Sequence, residues 1–155
     1  MNDFISLKKV GKNYLLKNNV KALNNINLKF QLGKIYSITG PSGSGKSTLL
    51  NILSLIDKPT SGTLTLDNKK IDFNKLDIND TIRASKIGII YQNYNLLPDF
   101  TALENVSLAG LASSKTIKKS ENEAKKILSS LGLQKRIFHY PSELSGGENQ
   151  RVAIA

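Results

Sequence analysis

The order of apolar and polar positions predicts a chain that begins with β-strands and ends with helices. Residues 4–7 and 20–30 carry apolar side chains with polar residues between them, which is typical of paired antiparallel strands. Residues 63–67 alternate in the same way. From Thr101 onward the apolar spacing becomes that of helices, so we expect a separate helical part.

Two short apolar runs indicate buried strands of a central sheet. Residues 35–39 (IYSIT) lead into a glycine, and residues 87–91 (IGIIY) follow a polar stretch. Runs that are apolar at nearly every position are typical of strands covered on both faces. Between them, residues 47–55 carry leucines that favour a helix, and Pro59 and Gly62 are predicted to end it. This order predicts an α/β core.

Capping boxes mark the predicted helix starts in the second half. Thr101 and Glu104 form one such box, in which each side chain bonds the backbone N–H of the other residue. Ser120 and Glu123 repeat the pattern before apolar residues on one helical face, and Gly132 is predicted to end that helix. We therefore expect helices that begin at Thr101 and at Ser120.

Composition places the chain among soluble globular proteins of one domain. It has 155 residues, of which 39% are hydrophobic and 22% charged, close to ordinary globular usage. The sequence has no cysteine, so neither a disulfide framework nor a thiolate metal site can be proposed. It has neither a secretion signal nor a run of about 18 apolar residues. We therefore expect a cytoplasmic protein.

The net charge of +10 permits nucleic acid or an anionic membrane surface as a partner. The basic residues are nearly all lysines, scattered among many asparagines, and a low-GC coding bias produces the same composition. The arginines are Arg83, Arg136 and Arg151. We expect coding bias to explain the charge, and we expect no nucleic-acid partner.

The sequence GPSGSGKS at residues 40–47 matches the P-loop pattern G-x-x-x-x-G-K-[ST] at every position. Its glycines let the backbone wrap around phosphate oxygens, while loop and helix N–H groups attract the anion. Lys46 is predicted to reach the β and γ phosphates of ATP, and the Ser47 hydroxyl to bind Mg²⁺. A flexible turn is the alternative, but the position between a predicted strand and a predicted helix favours a nucleotide site. The predicted nucleotide contacts here are Gly40, Pro41, Ser42, Gly43, Ser44, Gly45, Lys46, Ser47 and Thr48.

A second glycine-containing helix start lies in the sequence LSGGE at residues 144–148. Ser145 and Glu148 complete a capping box. Gly146 and Gly147 leave backbone N–H groups open to a ligand. From the residues alone, an ordinary capped helix start and a ligand-binding helix start are both open.

With these segments in view, the chain resembles the ATP-binding subunits of ABC transporters. In that family a P-loop, a glutamine loop and an LSGGE signature follow one another, and GPSGSGKSTLL, IIYQ and LSGGENQRVAIA occur here in that order. The resemblance covers essentially the whole chain. It implies a P-loop NTPase fold with an antiparallel β subdomain, a partial RecA-like core and a helical subdomain. It also implies a homodimer in which the signature of one subunit closes over the ATP held by the other.

The resemblance further implies roles for individual residues. Tyr14 matches the aromatic residue that stacks on adenine. Gln92 matches the glutamine that approaches Mg²⁺ and the attacking water, which makes it a catalytic residue with Lys46 and a metal ligand with Ser47. The positions that match the signature at the partner's nucleotide are Ser145, Gly146, Gly147 and Glu148.

Residues 87–110 (IGIIYQNYNLLPDFTALENVSLAG) are most similar to the lipoprotein-releasing branch of the family. This similarity implies an ATPase that sits peripherally on the cytoplasmic face of the inner membrane and drives permease subunits. It also implies that the permease docks at residues 96–106, for which a solvated loop is the alternative. His139 matches no catalytic position of the family, so we expect it to be structural or solvent-exposed.

The sequence departs from the family pattern after the signature helix. The family continues there with a strand ending in Asp-Glu, a D-loop and a switch histidine, and the sequence ends at Ala155 before them. In the family that aspartate and glutamate serve Mg²⁺ and the attacking water. The resemblance therefore implies that residues 1–155 are an incomplete domain that binds ATP and hydrolyses it poorly. The alternatives are a non-catalytic remnant and a nucleic-acid-associated ABC ATPase.

Overall fold

The computed structural model describes residues 3–15, 19–113 and 115–155. They belong to two compact units, Met1–Arg83 and Ala84–Ala155. The described strands lie in the first unit, and the helices from residue 102 onward lie in the second. The boundary between the units falls within the helix Leu76–Lys86.

An antiparallel sheet builds the first unit. Its strands are β1 (Asp3–Leu15), β2 (Asn19–Gln31), β3 (Ser61–Leu66) and β4 (Lys69–Lys70), in the order β2-β1-β3-β4. Leu7 of β1 lies opposite Leu28 on one side and Leu64 on the other. The strands predicted from alternating apolar residues are therefore confirmed. The buried apolar side chains of this unit are Leu7, Val10, Leu23, Leu49, Ile52, Leu55, Leu64, Leu66 and Ile71.

Helix α1 (Lys46–Leu53) confirms the helix predicted at residues 47–55, but it ends sooner. Leu49 and Ile52 are its buried residues. Ser54 caps the carboxyl end, and Leu55 has a φ of 60°, so the chain has already left the helix there. The helix thus ends through its own backbone conformation, before Pro59 is reached.

Helix α2 (Leu76–Lys86) and the short strand β4 were not predicted, because their sequences are mostly polar. Two apolar residues of α2, Leu76 and Ile78, are exposed and do not contribute to the core. The buried residue of α2 is Asn79, whose side-chain amide donates to the carbonyl oxygen of Asp72 at 2.9 Å. A polar contact therefore anchors this helix.

The buried strands predicted at residues 35–39 and 87–91 are wrong. Both segments have an irregular backbone. Ile35 is 100% exposed and Ile90 is 62% exposed. A strand needs a hydrogen-bonded neighbour, and in the described part of the chain the paired strands are β1 to β4. An apolar run reports a tendency toward burial, and it does not specify a partner.

In the described part of the second unit, the core is surrounded by the helices α3 (Ala102–Ala112), α4 (Ile117–Ser130) and α5 (Gly146–Ile154), and a short 3-10 helix (Pro141–Glu143) precedes α5. The predicted capping box of α3 is confirmed, because Glu104 Oε2 accepts from the Thr101 N–H at 2.8 Å and Thr101 Oγ1 accepts from the Glu104 N–H at 3.3 Å. The buried core consists of Ala102, Leu103, Val106, Ala124, Leu128, Leu133, Leu144 and Val152.

Helix α4 corrects the second predicted capping box. Thr116 caps this helix, so the helix begins before Ser120. Ser120 is 2% exposed, and Glu123 pairs with Lys115. A capping-box spacing inside a helix looks the same in sequence as one at its start. The predicted end is confirmed, because Gly132 has a φ of 75° and its N–H bonds the Ser129 carbonyl at 3.0 Å.

Candidate functional site

The P-loop at residues 40–47 leads directly into α1, and glycine is required at the junction. Gly45 precedes the helix with a φ of 88°, a conformation that glycine adopts without steric cost. A Cβ atom at Gly45 would lie 2.5 Å from the carbonyl oxygen of Ala22 in β2. Because Gly45 also offers no side chain to cap α1, the first-turn N–H groups are open to an anion.

Lys46 is the first residue of α1, and its ammonium group bonds the loop that precedes it. Nζ donates to the carbonyl oxygens of Gly40 at 2.8 Å and of Pro41 at 2.7 Å. Phosphate oxygens are charged and form stronger hydrogen bonds with an ammonium group than neutral carbonyls do. The lysine is therefore placed to exchange these bonds for bonds to a phosphate.

The remaining P-loop side chains and backbone are accessible to a ligand. The exposed members are Gly40, Pro41, Ser42, Gly43, Ser44 and Ser47, and the partly exposed members are Gly45, Lys46 and Thr48. The loop therefore combines a helix N-terminus, a lysine and an exposed hydroxyl. This combination suits a polyphosphate.

The oxygen donors of the predicted metal ligands fit Mg²⁺. Ser47 offers a hydroxyl oxygen and Gln92 an amide oxygen, and both side chains are exposed. Mg²⁺ prefers oxygen ligands and is usually bound by few protein groups together with substrate phosphates. Residues 3–15, 19–113 and 115–155 contain no group of three or more histidine or carboxylate side chains that could hold a metal alone. Ser47 lies in the first unit and Gln92 in the second, so each offers its oxygen within its own unit.

Tyr14 lies near the end of β1, in the same unit as the P-loop, and its position is fixed by polar contacts. Its hydroxyl donates to Asp57 Oδ2 at 3.0 Å. The Lys12 ammonium group lies 4.8 Å from the centre of the tyrosine ring. Sequence reasoning missed Lys12 and Asp57, because a lysine and an aspartate 45 residues apart form no local motif.

The predicted signature, residues 145–148, forms the start of α5 as expected. Glu148 Oε2 accepts from the Ser145 N–H at 2.8 Å, and Ser145 Oγ accepts from the Glu148 N–H at 3.3 Å. Ser145, Gly146 and Gly147 are exposed. The helix therefore presents an accessible, glycine-containing N-terminus, with which an anion interacts favourably.

Arg136 is a second partner of the signature that the sequence did not reveal. Its Nε donates to Glu148 Oε1 at 3.1 Å. Three hydrogen bonds lower the pKa of Glu148 to about 2. The bonds from the Ser145 backbone and side chain have the largest effect, and the bond from Arg136 adds to it. Glu148 is thus held as a carboxylate with both oxygens in use.

His139 stands beside Arg136, with its Nε2 3.1 Å from an Arg136 guanidinium nitrogen. Its carbonyl oxygen accepts from the Ala102 N–H at 2.9 Å. The backbone bond connects the loop before the signature to the start of α3, and the ring contact with Arg136 lies within that loop.

Gln92 and residues 96–106 lie in the second unit, where an irregular segment leads into α3. Asn105 holds the turn before that helix. Its side chain accepts from the Leu97 N–H at 2.8 Å and donates to the Phe100 carbonyl at 2.8 Å. Leu97 and Phe100 are 44% and 38% exposed. The turn therefore presents two apolar side chains on a backbone that is fixed from within.

The chain is similar to known proteins of one family. The family model described as ABC transporter matches residues 23–155. The lipoprotein-releasing system ATP-binding protein LolD of Rickettsia bellii is 46% identical over 155 residues, covering 99% of this chain and 68% of that protein. The protein of the same name from Buchnera aphidicola subsp. Schizaphis graminum is 46% identical over 144 residues, covering 92% of this chain and 62% of that protein.

Two solved structures have the same fold as this chain. One is the dimeric structure of MJ0796, a bacterial ABC transporter cassette, with a TM-score of 0.86 and 42% identity; the likeness covers 97% of this chain and 67% of that one. The other is a dimeric post-hydrolysis state of the same cassette bound to ADP and Pi, with a TM-score of 0.86, 41% identity and the same coverage. The fold is thus that of an ABC nucleotide-binding cassette, as predicted.

Proposed function

The chain belongs to the ABC transporter family as an ATP-binding subunit, and from that premise we propose that it powers the release of lipoproteins from the inner membrane. The observation that carries this proposal is its 46% identity to a lipoprotein-releasing ATP-binding protein over 99% of the chain. In this role it is an energy-coupling subunit that attaches from the cytoplasmic side to integral-membrane permease subunits. The described residues hold no helix with the length and apolar character of a membrane span.

ATP binding in this proposal rests on the P-loop. Lys46 exchanges its bonds to Gly40 and Pro41 for bonds to the β and γ phosphates, and the N–H groups at the start of α1 bind further phosphate oxygens. Tyr14 stacks on the adenine ring. Ser47, in the same unit as the P-loop, would supply an oxygen ligand for Mg²⁺, which would neutralise charge on the phosphates.

A second copy of the chain completes the site in this proposal. The Ser145 hydroxyl and the N–H groups of Gly146 and Gly147 are exposed at the start of α5, and a helix N-terminus attracts negative charge. They would contact the γ phosphate held by the P-loop of the partner. The dimeric state of the MJ0796 cassette supports this arrangement.

Hydrolysis needs a general base, and Glu148 does not qualify. A base at neutral pH works best when its pKa is near 7, whereas the pKa of Glu148 is lowered to about 2 by its bonds to Ser145 and Arg136. Among residues 3–15, 19–113 and 115–155 we assign no general base. We therefore expect the 155-residue polypeptide to bind MgATP and to turn it over slowly.

The turn before α3 is the proposed docking site for the permease. Leu97 and Phe100, which are three residues apart in the sequence, expose apolar side chains, and Asn105 fixes the backbone of the turn through bonds to both residues. An apolar side chain of a partner helix packs well on such a rigid, partly apolar turn. Binding here would transmit a movement of the ATP-binding subunit to the membrane.

Reconstitution tests the proposal. The chain would be combined in vesicles with the permease subunits of a lipoprotein-releasing system and a fluorescent lipoprotein. We expect slow, ATP-dependent release of the lipoprotein when the chain is present, at a rate limited by its slow ATP turnover, and no release with Lys46→Ala. Release that is the same with and without the chain would contradict the proposed function.

A further inference from the structure

Asp57 joins the helix that follows the P-loop to the tyrosine of β1. Its backbone N–H donates to the carbonyl oxygen of Asn51 in α1 at 3.1 Å. One oxygen of its carboxylate, Oδ1, accepts from Lys12 Nζ at 2.5 Å, and the other, Oδ2, accepts from the Tyr14 hydroxyl at 3.0 Å. Asp57 thereby connects α1 to two side chains of β1, Lys12 and Tyr14.

Lys12 holds the ring of Tyr14 from one side. The lysine is buried, with 9% of its surface exposed, and Nζ also donates to the Lys58 carbonyl at 2.8 Å. Its ammonium group lies 4.8 Å from the centre of the Tyr14 ring, within the range of a cation–π contact. One ring face is therefore occupied, and a nucleotide base can stack only on the opposite face.

The Asp57 carboxylate is charged at neutral pH. Partial burial raises its pKa, but the hydrogen bonds from Lys12 and Tyr14 and the charge of Lys12 outweigh that effect and lower it. Hydrogen bonds to a charged acceptor are about twice as strong as those between neutral groups. The three side chains therefore form a rigid set within the first unit.

We propose that Asp57 is a positioning residue for the nucleotide base, because it fixes the Tyr14 ring relative to α1 and hence to the P-loop. The inference rests on the proposed function, in which Tyr14 stacks on adenine. A ring that is already ordered loses little conformational freedom when the base binds. Asp57 thus favours binding of the base and leaves binding of the phosphates to the P-loop.

Binding of ATP and of inorganic tripolyphosphate, measured by calorimetry, separates these two contributions. Tyr14→Phe is the cleanest variant, because it keeps the ring and the Lys12–Asp57 ion pair and removes only the hydroxyl. We expect it to weaken ATP binding about two- to tenfold, the cost of ordering one side chain, and to leave tripolyphosphate binding unchanged. Asp57→Asn should give the same pattern. The double variant, Tyr14→Phe with Asp57→Asn, should lose no more ATP affinity than the weaker-binding of the two single variants.

Tyr36→Phe is the matched control. The Tyr36 hydroxyl accepts from the Gln31 N–H at 2.9 Å, in the same unit but outside the Asp57 contacts. We expect the ratio of ATP affinity to tripolyphosphate affinity to stay at the wild-type value in this variant. Thermal unfolding of each variant confirms that it is folded.

Tyr14→Leu distinguishes failure of the inference from failure of the proposed function. If Tyr14→Leu lowers the affinity ratio while Tyr14→Phe and Asp57→Asn leave it unchanged, stacking stands and positioning by Asp57 is overturned. If Tyr14→Leu also leaves the ratio unchanged, Tyr14 does not stack on the base and both ideas are overturned. Equal losses for ATP and tripolyphosphate in Asp57→Asn would likewise overturn the positioning role.

Discussion

Arg136 Nε lies 3.1 Å from Glu148 Oε1, so a residue of the loop before the signature is tied to the signature helix itself. The other oxygen of the same carboxylate accepts from the Ser145 N–H at 2.8 Å. One carboxylate therefore fixes both the start of α5 and the loop that leads to it. The geometry of the signature depends on the charge of Glu148.

Acid is expected to remove this contribution. The pKa of Glu148 in the folded chain is about 2, below its ordinary value of 4.5. A lowered pKa stabilises the folded state fully above about pH 4.5, and the stabilisation is lost as the pH falls toward 2. The difference in unfolding free energy between wild type and Glu148→Gln should therefore be constant around neutral pH, and it should shrink as the pH falls from about 4.5 to about 2. Urea unfolding followed by circular dichroism measures it, and a difference independent of pH would contradict the assignment.

Gly45→Ala should destabilise the chain more than Gly43→Ala. Both glycines have a positive φ, 88° and 79°, so both changes place alanine in a left-handed conformation that costs about 1–2 kcal/mol. Only the Cβ at Gly45 meets backbone, since nothing lies within 4 Å of a Cβ at Gly43. We expect the additional loss at Gly45 to be about 1–3 kcal/mol. Equal free energies of unfolding for the two variants would contradict the close approach of the loop to β2.

Gly110→Ala should separate α3 from α4. A Cβ at Gly110 would lie 2.7 Å from Ser120 Oγ and 2.9 Å from Ser120 Cβ, so rotation of the hydroxyl cannot relieve the contact. Alanine favours a helix over glycine by about 1 kcal/mol, but overpacking typically costs about 1–3 kcal/mol. We expect a net loss of stability in thermal unfolding. Adding Ser120→Gly should restore part of it, and a failure of that rescue would show that the contact is not the cause.

Charge placed on the turn before α3 should prevent permease binding. Leu97→Asp or Phe100→Asp should abolish co-purification with the permease subunits while ATP affinity stays at the wild-type value, because an aspartate in an apolar contact must lose its water. Ile117→Asp is the control, since Ile117 is 67% exposed in the same unit but lies outside residues 96–106. Co-purification that survives both turn variants would contradict the docking site.

Much of the local structure could be predicted from the sequence, because local chemistry determines it. The capping boxes at Thr101 and Ser145 and the glycine at residue 132 depend on neighbouring residues. The capping box predicted at Ser120 failed because Thr116 offers an earlier cap, and because Ser120 packs against Gly110 from another helix. Contacts between distant parts of the chain decide which of two similar local patterns is used.

The two predictions of buried strands were wrong for a related reason. Residues 35–39 and 87–91 are apolar, but hydrogen bonding between strands requires a partner, and sequence periodicity does not identify one. Within the site, the P-loop could be predicted because its residues, 40–47, follow one another in the sequence. The contacts of Asp57 with Lys12 and Tyr14 could not, because they join side chains more than 40 residues apart.

The most direct test of ATP binding by the P-loop is calorimetry of wild type, Lys46→Ala and Lys34→Ala with ATP and Mg²⁺. Lys34 is an exposed lysine of the same unit, so its removal changes the net charge equally. We predict that Lys46→Ala weakens ATP binding by about 1.5–3 kcal/mol, the contribution of a hydrogen bond to a charged group, which is about 10- to 150-fold in affinity, and that Lys34→Ala binds as wild type does. Equal ATP affinity for wild type and Lys46→Ala would contradict the assignment of residues 40–47 as the nucleotide site.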